Sequence, residues 1–333
     1  MTIHMRPYAG AADLQRILDL KRTCTTPENI YDTPIFSELR ALLAPLPQDP
    51  AAGRPPWEDE QGRAMGNLHR RALAQQATML WEENDDRLLA YALVAPPSTA
   101  LTFQVHPQAR DSGLETQILT WAITGAQEQA RRRGGTFSLW CRCHEHETGR
   151  RALLEEAGFT PLPARDLRLV CALDISLPAA QLPAGFVLRG GVHGEELETY
   201  QELHQAVFDG ISMGLDYHRS PAYEPDLDLI AVDATGTFVA FCLCELTEVA
   251  DSGGEYTLGE IGVIGTRPTH QGRGLGRTLL LLRSMHRLKE RGATGVFLET
   301  EQADTPALRL FTSVGFRRVS AWQWMTREIA PLT

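Results

Sequence analysis

The sequence has few cysteines and no long hydrophobic run. Six cysteines in 333 residues are too sparse for a disulfide framework, and we expect free thiols. The longest aliphatic run, residues 279–282, is far below the roughly 20 residues that span a bilayer. Residues 1–7 also lack the apolar core of a signal peptide. These deficits predict a cytoplasmic protein with no membrane partner.

Positive charge is also scarce. Lys and Arg number 32 against 42 Asp and Glu, which gives a formal net charge of −10. An acidic surface repels the phosphates of nucleic acids, so we expect no nucleic-acid partner. The 43% of apolar residues is ordinary for a globular protein, and 333 residues is about twice the usual domain size. Two folded domains are therefore predicted.

The two halves of the chain repeat one order of elements. Residues 154–159 and 311–316 both end in Gly-Phe, 315 − 158 = 157 residues apart. Before each comes a β-rich run, and before each run an amphipathic helix that ends near Gly134 or Gly292. The β-rich runs are residues 136–143 and 294–300, and each copy opens with a short strand and helix, residues 3–23 and 186–208.

This repeat predicts an α/β fold of two tandem domains. We place the first at residues 1–175 and the second at 186–333, with a linker rich in Pro and Gly at 176–185. Hairpin turns are expected at residues 85–86 and 233–236. Residues 45–56, rich in Pro, Ala and Gly, are interpreted as a loop of the first domain.

A glycine loop in the second half is the most informative motif. Gly272, Gly274 and Gly276 follow a strand pattern and open a helix. Glycines let backbone N–H groups approach an anion, and a helix N-terminus adds about half a positive charge, so a pyrophosphate fits there. Arg273 and Arg277 could add side-chain charge. The spacing matches neither a dinucleotide fingerprint nor a P-loop, and a flexible turn without a ligand is the alternative.

These residues resemble a known family. Gln271 to Gly276 is similar to the acetyl-CoA signature of the GNAT superfamily of N-acetyltransferases, and residues 307–316 resemble its closing helix and Gly-Phe. Two copies narrow the resemblance to the mycothiol synthase group, in which the C-terminal half carries the activity; residues 105–110 are similar as well. The resemblance implies two GNAT-like domains, each a mixed, mostly antiparallel twisted sheet flanked by helices. It also implies acetyl-CoA as the only cofactor, no metal and a small-molecule amine acceptor.

The resemblance further assigns residues to the acetyl-CoA site. Backbone groups of Ile264, Gly265 and Thr266 would line the pantetheine arm, and Asp304 and Arg309 would flank its far end. The pyrophosphate would lie on the loop, formed by Gln271, Gly272, Arg273, Gly274, Leu275, Gly276 and Arg277.

Glu260 occupies the position that resembles the family's general base. An alkylammonium, with a pKa of about 10.4, must lose a proton before it can attack a thioester, and a carboxylate can accept that proton. A solvated glutamate at a strand edge is the alternative. Glu260 lies 14 residues before the loop glycine Gly274 (274 − 14 = 260), and the same count from Gly113 in the first half gives Thr99 (113 − 14 = 99). Asp111 and Glu115 of the first half would also repel a pyrophosphate. The first domain is therefore predicted to be degenerate and non-catalytic, and an altered loop that still binds CoA weakly is the alternative.

Two departures from the family pattern concern the reaction and the acceptor. Phe311 stands where most relatives have the tyrosine that protonates the departing thiolate. Glu248 stands close to the position at which the relatives have a lysine that contacts the ligand. We therefore expect an acceptor other than mycothiol's precursor, contacted by Glu248 and Glu260. The alternatives are a non-catalytic acyl-CoA-binding or sensing protein, and mycothiol synthase activity itself.

Three other groups of residues have plainer interpretations. Cys141, Cys143, His144 and His146 could bind zinc, but alternation along a strand would bury both thiols on one face. Trp322 and Trp324 are interpreted as core or cleft wall, and Tyr217, His218 and Tyr223 lie where acceptor loops occur. The sequence does not fix the oligomeric state and is compatible with a monomer.

Overall fold

The computed structural model describes residues 3–26, 29, 39, 42–43, 72–84, 87–95, 99–110, 112–174, 176–181, 183–210, 218, 223–251 and 254–331. The first half contains β1 (Ile3–Pro7), α1 (Ala11–Cys24), β2 (Thr78–Glu83), β3 (Arg87–Ala95), β4 (Ala100–Val105), α2 (Leu114–Arg133), β5 (Phe137–His144), α3 (Thr148–Glu156) and β6 (Thr160–Ala172). The second contains β7 (Phe186–Gly190), α4 (Glu196–Val207), β8 (Asp228–Asp233), β9 (Phe238–Asp251), β10 (Gly254–Thr266), α5 (Leu282–Glu290), β11 (Gly295–Glu301), α6 (Thr305–Thr312) and β12 (Arg317–Ile329).

All twelve described strands belong to one sheet. Its order is β1-β2-β3-β4-β5-β12-β6-β11-β10-β9-β8-β7. Only β4–β5 and β10–β11 are parallel, so the mixed, mostly antiparallel fold is confirmed. The prediction did not foresee that the two sheets join. The last strand of each half pairs with the fifth strand of the other, because an uncovered strand edge leaves backbone hydrogen-bonding groups that a partner strand satisfies.

Helices cover both faces of this sheet. Side chains alternate between faces along each strand, so each strand contributes to two separate cores. On one face α2 and α3 pack in the first half, and α5 and α6 in the second. On the opposite face α1 packs on the first half and α4 on the second. We call the face under α1 and α4 the α1–α4 face.

An ion pair ties the first strand to the first helix in each half. Arg6 donates to Asp13 at 2.6 Å, and Arg189 donates to Glu196 at 2.7 Å. Both members of the second pair lie 183 residues after their counterparts in the first, since 189 − 6 and 196 − 13 both equal 183. The internal repeat therefore extends to a side-chain contact that the sequence analysis did not use.

The local signals give most element boundaries correctly. Gly134 and Gly292 end their helices with positive φ, and a turn with Gly236 at φ 86° joins β8 to β9. The described part of residues 176–185 contains neither helix nor strand. The helix after the glycine loop differs from the prediction, because Leu275–Leu281 winds as a π-helix before α5 begins. Residues 45–56 and 85–86 lie outside the described residues.

No helix in the described ranges combines the length and the apolar character needed to cross a membrane.

Candidate acetyl-transfer site

The sheet opens between β10 and β11. Their parallel pairing runs from Leu258 opposite Gly295 to Ile261 opposite Leu298. A β-bulge at Gly262 follows, and residues 263–266 then pair with β9 on one side only. The β11 side of Ile264, Gly265 and Thr266 is therefore open within the described pairing, and an extended polar chain could pair with this backbone.

Close packing explains the glycine within this segment. A Cβ on Gly265 would lie 2.5 Å from Cγ1 of Val207 and 3.2 Å from the Phe241 ring. Val207 belongs to α4, so the absence of a side chain lets that helix pack directly on the strand. The strand backbone beside the opening is held in place by this contact.

The glycine loop presents a backbone that only glycine adopts readily. Gly272 and Gly274 have φ of 75° and 79°, and both are exposed. Buried Leu275 anchors the helix that follows, and no described side chain caps its first turn. The first N–H groups of that helix are thus available to an anion. Gln271 donates to the Thr266 carbonyl at 3.3 Å and fixes the loop to β10.

Two arginines flank the loop. Arg273 donates to the Thr269 carbonyl at 3.4 Å, and Arg277 donates to the Ser313 hydroxyl at 3.0 Å. The second bond joins the loop helix to the end of α6. Both side chains are exposed, so their charge adds to the positive end of the helix.

Glu260 lies half-buried on β10, four residues before Ile264. Its register partners are Glu245 on β9 and Phe297 on β11. Residues paired across a ladder share a face, with Cβ atoms about 5 Å apart. Two carboxylates therefore lie on one face of the sheet beside the opening.

Sequence analysis missed Glu245. The register of the β9–β10 hairpin could have identified it. Before the bulge, the numbers of two paired residues add to 505, as they do for Asp251 with Gly254 and for Glu245 with Glu260. The structure does not bring Glu248 to Glu260. Glu248 pairs with Thr257 and is exposed, and alternation along β9 places it on the opposite face from Glu245.

The remaining predicted residues lie on α6. Phe311 is buried in the core, with its ring 5.9 Å from that of Phe316, and carries no ionisable group. Asp304 caps α6, where Oδ1 accepts a hydrogen bond from the Ala307 amide at 3.1 Å. Arg309 is exposed on the same helix.

The first half keeps the loop backbone but fills the opening. Gly113 has φ 78° and ψ 5°, against 79° and 2° at Gly274. Arg150 of α3 occupies the position of Ala307, since 150 + 157 = 307. It donates to the Phe103 carbonyl at 3.1 Å, and its guanidinium lies 4.2 Å from the Phe103 ring centroid. Near the loop the two halves are offset by 161 residues, as Gly113 and Gly274 are, so Phe103 is the counterpart of Ile264 (103 + 161 = 264). The Arg150 side chain therefore occupies the strand backbone that corresponds to the open edge of the second half.

The structure corrects the counterpart of Glu260 in the first half. Ala100, rather than Thr99, pairs with Ala95 and Trp140 as Glu260 pairs with Glu245 and Phe297. The count fails by one residue because β10 carries the bulge at Gly262, whereas β4 pairs with β3 without interruption. An alanine there supplies no base either.

The other candidate groups have structural roles. Cys141 and Cys143 are buried, and burial raises their pKa values to about 12 and about 11, as expected for packing thiols. His218 and Tyr223 both contact Asp228, at 3.3 and 2.7 Å. Tyr217 and Asp111 lie outside the described residues.

Trp322 and Trp324 do hold a cation, but it belongs to the protein. The Arg142 guanidinium lies 4.4 Å from the Trp322 ring centroid and 4.9 Å from that of Trp324.

Comparison with known proteins places these features in context. The Acetyltransferase (GNAT) family matches residues 195–316. A mycothiol acetyltransferase from Thermobispora bispora is 32% identical over 245 residues, which cover 70% of this chain and 78% of that protein. A mycothiol acetyltransferase from Thermobifida fusca is 31% identical over 256 residues, covering 68% and 74%.

Solved structures share the fold at lower identity. A GCN5-related N-acetyltransferase from Sphaerobacter thermophilus superposes with a TM-score of 0.70 at 22% identity, covering 99% of this chain and 97% of that one. A tandem GNAT protein from the clavulanic acid biosynthesis pathway gives a TM-score of 0.62 at 18% identity, with 100% of each chain covered.

Proposed function

The chain belongs to the GNAT family of acetyltransferases, and on that premise we propose that its second half, residues 186–333, acetylates a small-molecule amine with acetyl-CoA. The observation that carries the proposal is the arrangement of residues 260–277. One strand and the loop after it supply a carboxylate, an open strand edge and an exposed helix N-terminus. The first half offers Ala100 and Arg150 at the matching places, which supports a single active half.

The residues present fit acetyl-CoA. The loop N–H groups, with Arg273 and Arg277, would bind the pyrophosphate, and the open edge of Ile264 to Thr266 would pair with the amides of the pantetheine arm. Asp304, at the start of α6, and Arg309, within that helix, would flank the far end of the pantetheine arm. Acetyl-CoA supplies the acetyl thioester, whose C–S bond breaks as the acceptor forms its C–N bond.

Glu260 acts as the base in this proposal. It takes the proton from the acceptor's ammonium, so the nitrogen becomes neutral and nucleophilic. Phe311 has no proton to give, so the sulfur departs as thiolate, which a thiol pKa near 8.5 permits. The missing acid should slow the reaction about 100-fold relative to a relative with tyrosine.

Calorimetric titration with acetyl-CoA and turnover of Glu260→Gln test the proposal together. We expect one acetyl-CoA site per chain, and we expect Glu260→Gln to abolish CoA release while leaving acetyl-CoA affinity unchanged. Glu248→Gln is the matched control, since Glu248 lies on the other face, and should keep full turnover. Two sites per chain, no binding, or full activity of Glu260→Gln would contradict the proposal.

One observation favours a second candidate, a non-catalytic acyl-CoA-binding or sensing protein. Phe311 is buried in the core, so the position at which most relatives have the tyrosine acid contributes to packing in this protein. This candidate predicts acetyl-CoA binding without CoA release across a panel of amines. The panel should include the acceptor of the mycothiol acetyltransferases, because relatives of that name are about 30% identical.

A further inference from the structure

A polar cluster lies on the α1–α4 face at the junction of the two halves. We define the central cluster as Arg142, Asp166, Arg168, Glu299, Trp322 and Trp324. The strand registers place it on the same face as Glu260. Glu260 is opposite Phe297, and Glu299 follows Phe297 by two residues on β11. Arg168 pairs with Glu299, and Trp322 pairs with Asp166.

Glu299 is held rigidly within this cluster. Its Oε1 accepts hydrogen bonds from Arg142 and from Nε1 of Trp322, the latter at 3.2 Å. Its Oε2 accepts from Arg168 at 3.2 Å, and the Arg168 side chain is only 1% exposed. Both guanidinium groups stack on the Trp322 ring, at 4.4 and 4.7 Å. The carboxylate therefore has one fixed orientation.

Glu299 can accept one more hydrogen bond. A carboxylate has about four acceptor sites, and the described donors use three. The side chain is 27% exposed, so a donor that enters the opening can reach this carboxylate. Strand spacing and residue rise put Glu299 roughly 8 Å from Glu260, on the other side of the opening.

The charge of this face favours a cation. Among the described residues of this face beside Glu260 and Glu299, the carboxylates of Asp166, Glu245, Glu260, Glu299 and Glu301 outnumber the guanidinium groups of Arg142 and Arg168, so the formal sum is 2 − 5 = −3.

We propose that Glu299 selects acceptors with a second ammonium group, so that the substrate class is a diamine. This rests on the proposed function of the second half. One amino group would lie at Glu260 for acetylation, and the other would donate to Glu299. Both halves contribute to this specificity, because Arg142 and Arg168 of the first half hold Glu299 in place.

The test compares 1,5-diaminopentane with pentylamine, which has the same length and one amino group. We expect kcat/KM, measured by CoA release, to be about tenfold or more higher for the diamine in the wild-type protein. Glu299→Gln should reduce that ratio to near one, and Glu299→Asp should give an intermediate ratio. Glu248→Gln, which changes an exposed carboxylate on the opposite face of the sheet, is the control and should keep the wild-type ratio.

The ratio is independent of the fraction of folded enzyme, because both amines are measured on one preparation. A wild-type ratio near one, or a wild-type ratio kept by Glu299→Gln, overturns the role of Glu299 while leaving acetyl transfer intact. Acetylation of neither amine, with CoA release on another amine of the panel, overturns the diamine proposal alone, whereas acetyl-CoA binding without CoA release on any amine of the panel overturns the proposed activity.

Discussion

Asp13 is the residue whose environment most directly couples charge to stability. It is buried, and Arg6 donates to both of its oxygens at 2.6 Å. Hydrogen bonding to Arg6 holds the pKa of this carboxyl below its usual range. Its contribution to the free energy of unfolding is therefore fully present above the unfolded pKa and is lost as pH falls through the lower, folded pKa.

Replacing this carboxylate should destabilise the fold in a pH-dependent way. We expect Asp13→Asn to lower the free energy of unfolding by about 2 kcal/mol at pH 7, because Arg6 and Arg16 lose a partner. The difference from wild type should shrink below about pH 4. Asp19→Asn, an exposed acid on the same helix, should change stability little at either pH. Urea unfolding at pH 7 and pH 3.5 checks this, and a constant difference would contradict it.

Arg150 and Ala307 are the residues that distinguish the two openings. Because the Arg150 side chain fills the opening of the first half, an arginine at position 307 should fill the opening of the second half. We expect Ala307→Arg to weaken acetyl-CoA binding by about 100-fold, equal to about 2.7 kcal/mol. Thr312→Arg adds the same charge to an exposed position of α6 and should leave affinity within about twofold. Unchanged affinity of Ala307→Arg in calorimetry would mean that the cofactor lies elsewhere.

At the scale of elements, the two glycine loops form a matched pair. Gly113 and Gly274 have nearly the same dihedral angles, so alanine at either should cost about 1 kcal/mol of stability through strain at positive φ. Only Gly274→Ala should also weaken acetyl-CoA binding, because only that loop follows an open strand edge. Thermal unfolding and calorimetry on both variants check this. Equal loss of affinity from Gly113→Ala would show that the first loop also binds.

Contiguous signals account for what the sequence predicted well. The run 136–143 became Phe137–His144, and 294–300 became Gly295–Glu301, because β-rich composition bounded by glycine is a local pattern. The glycine loop was equally readable, since its residues are adjacent in the chain. The π-helical turns of Leu275–Leu281 carry no comparable signal.

Features that depend on pairing were missed or misplaced. The bulge at Gly262 shifted the counterpart of Glu260 from Thr99 to Ala100, since one inserted residue changes every later register. Glu245 lies beside Glu260 through the register of the β9–β10 hairpin, and Glu299 meets its ladder partner Arg168 across 131 residues. Arg150 fills its opening across 47 residues, a contact that spacing alone does not predict.

For the whole molecule, exchange of the last strands makes the halves interdependent. β6 lies between β11 and β12, so residues 186–333 alone lack a strand in the middle of their sheet. Met325 and Ile329 of β12 are also buried in the core of the first half. Domain boundaries drawn from the repeat, at 175 and 186, therefore do not coincide with units of packing.

Fragments of the chain test this interdependence. We expect residues 186–333 to aggregate or to unfold without cooperativity, because β11 and β12 have no partner between them. Residues 160–333, which add β6, should unfold cooperatively and bind acetyl-CoA with the affinity of the full chain. Cooperative unfolding of 186–333 by circular dichroism, with full affinity, would contradict the dependence on β6.

The position of β12 also sets an order in time on the ribosome. Its residues, 317–329, are made near the end of synthesis, yet the strand belongs beside β5 in the centre of the sheet. Between the end of β6 and the end of β12 the ribosome adds 329 − 172 = 157 residues, which takes roughly 10 to 30 s at the usual elongation rates. During that interval the edge of β5 has no native partner. The nascent chain therefore exposes a pairing edge that a neighbouring nascent chain could cover, and slower translation of the second half would prolong that exposure.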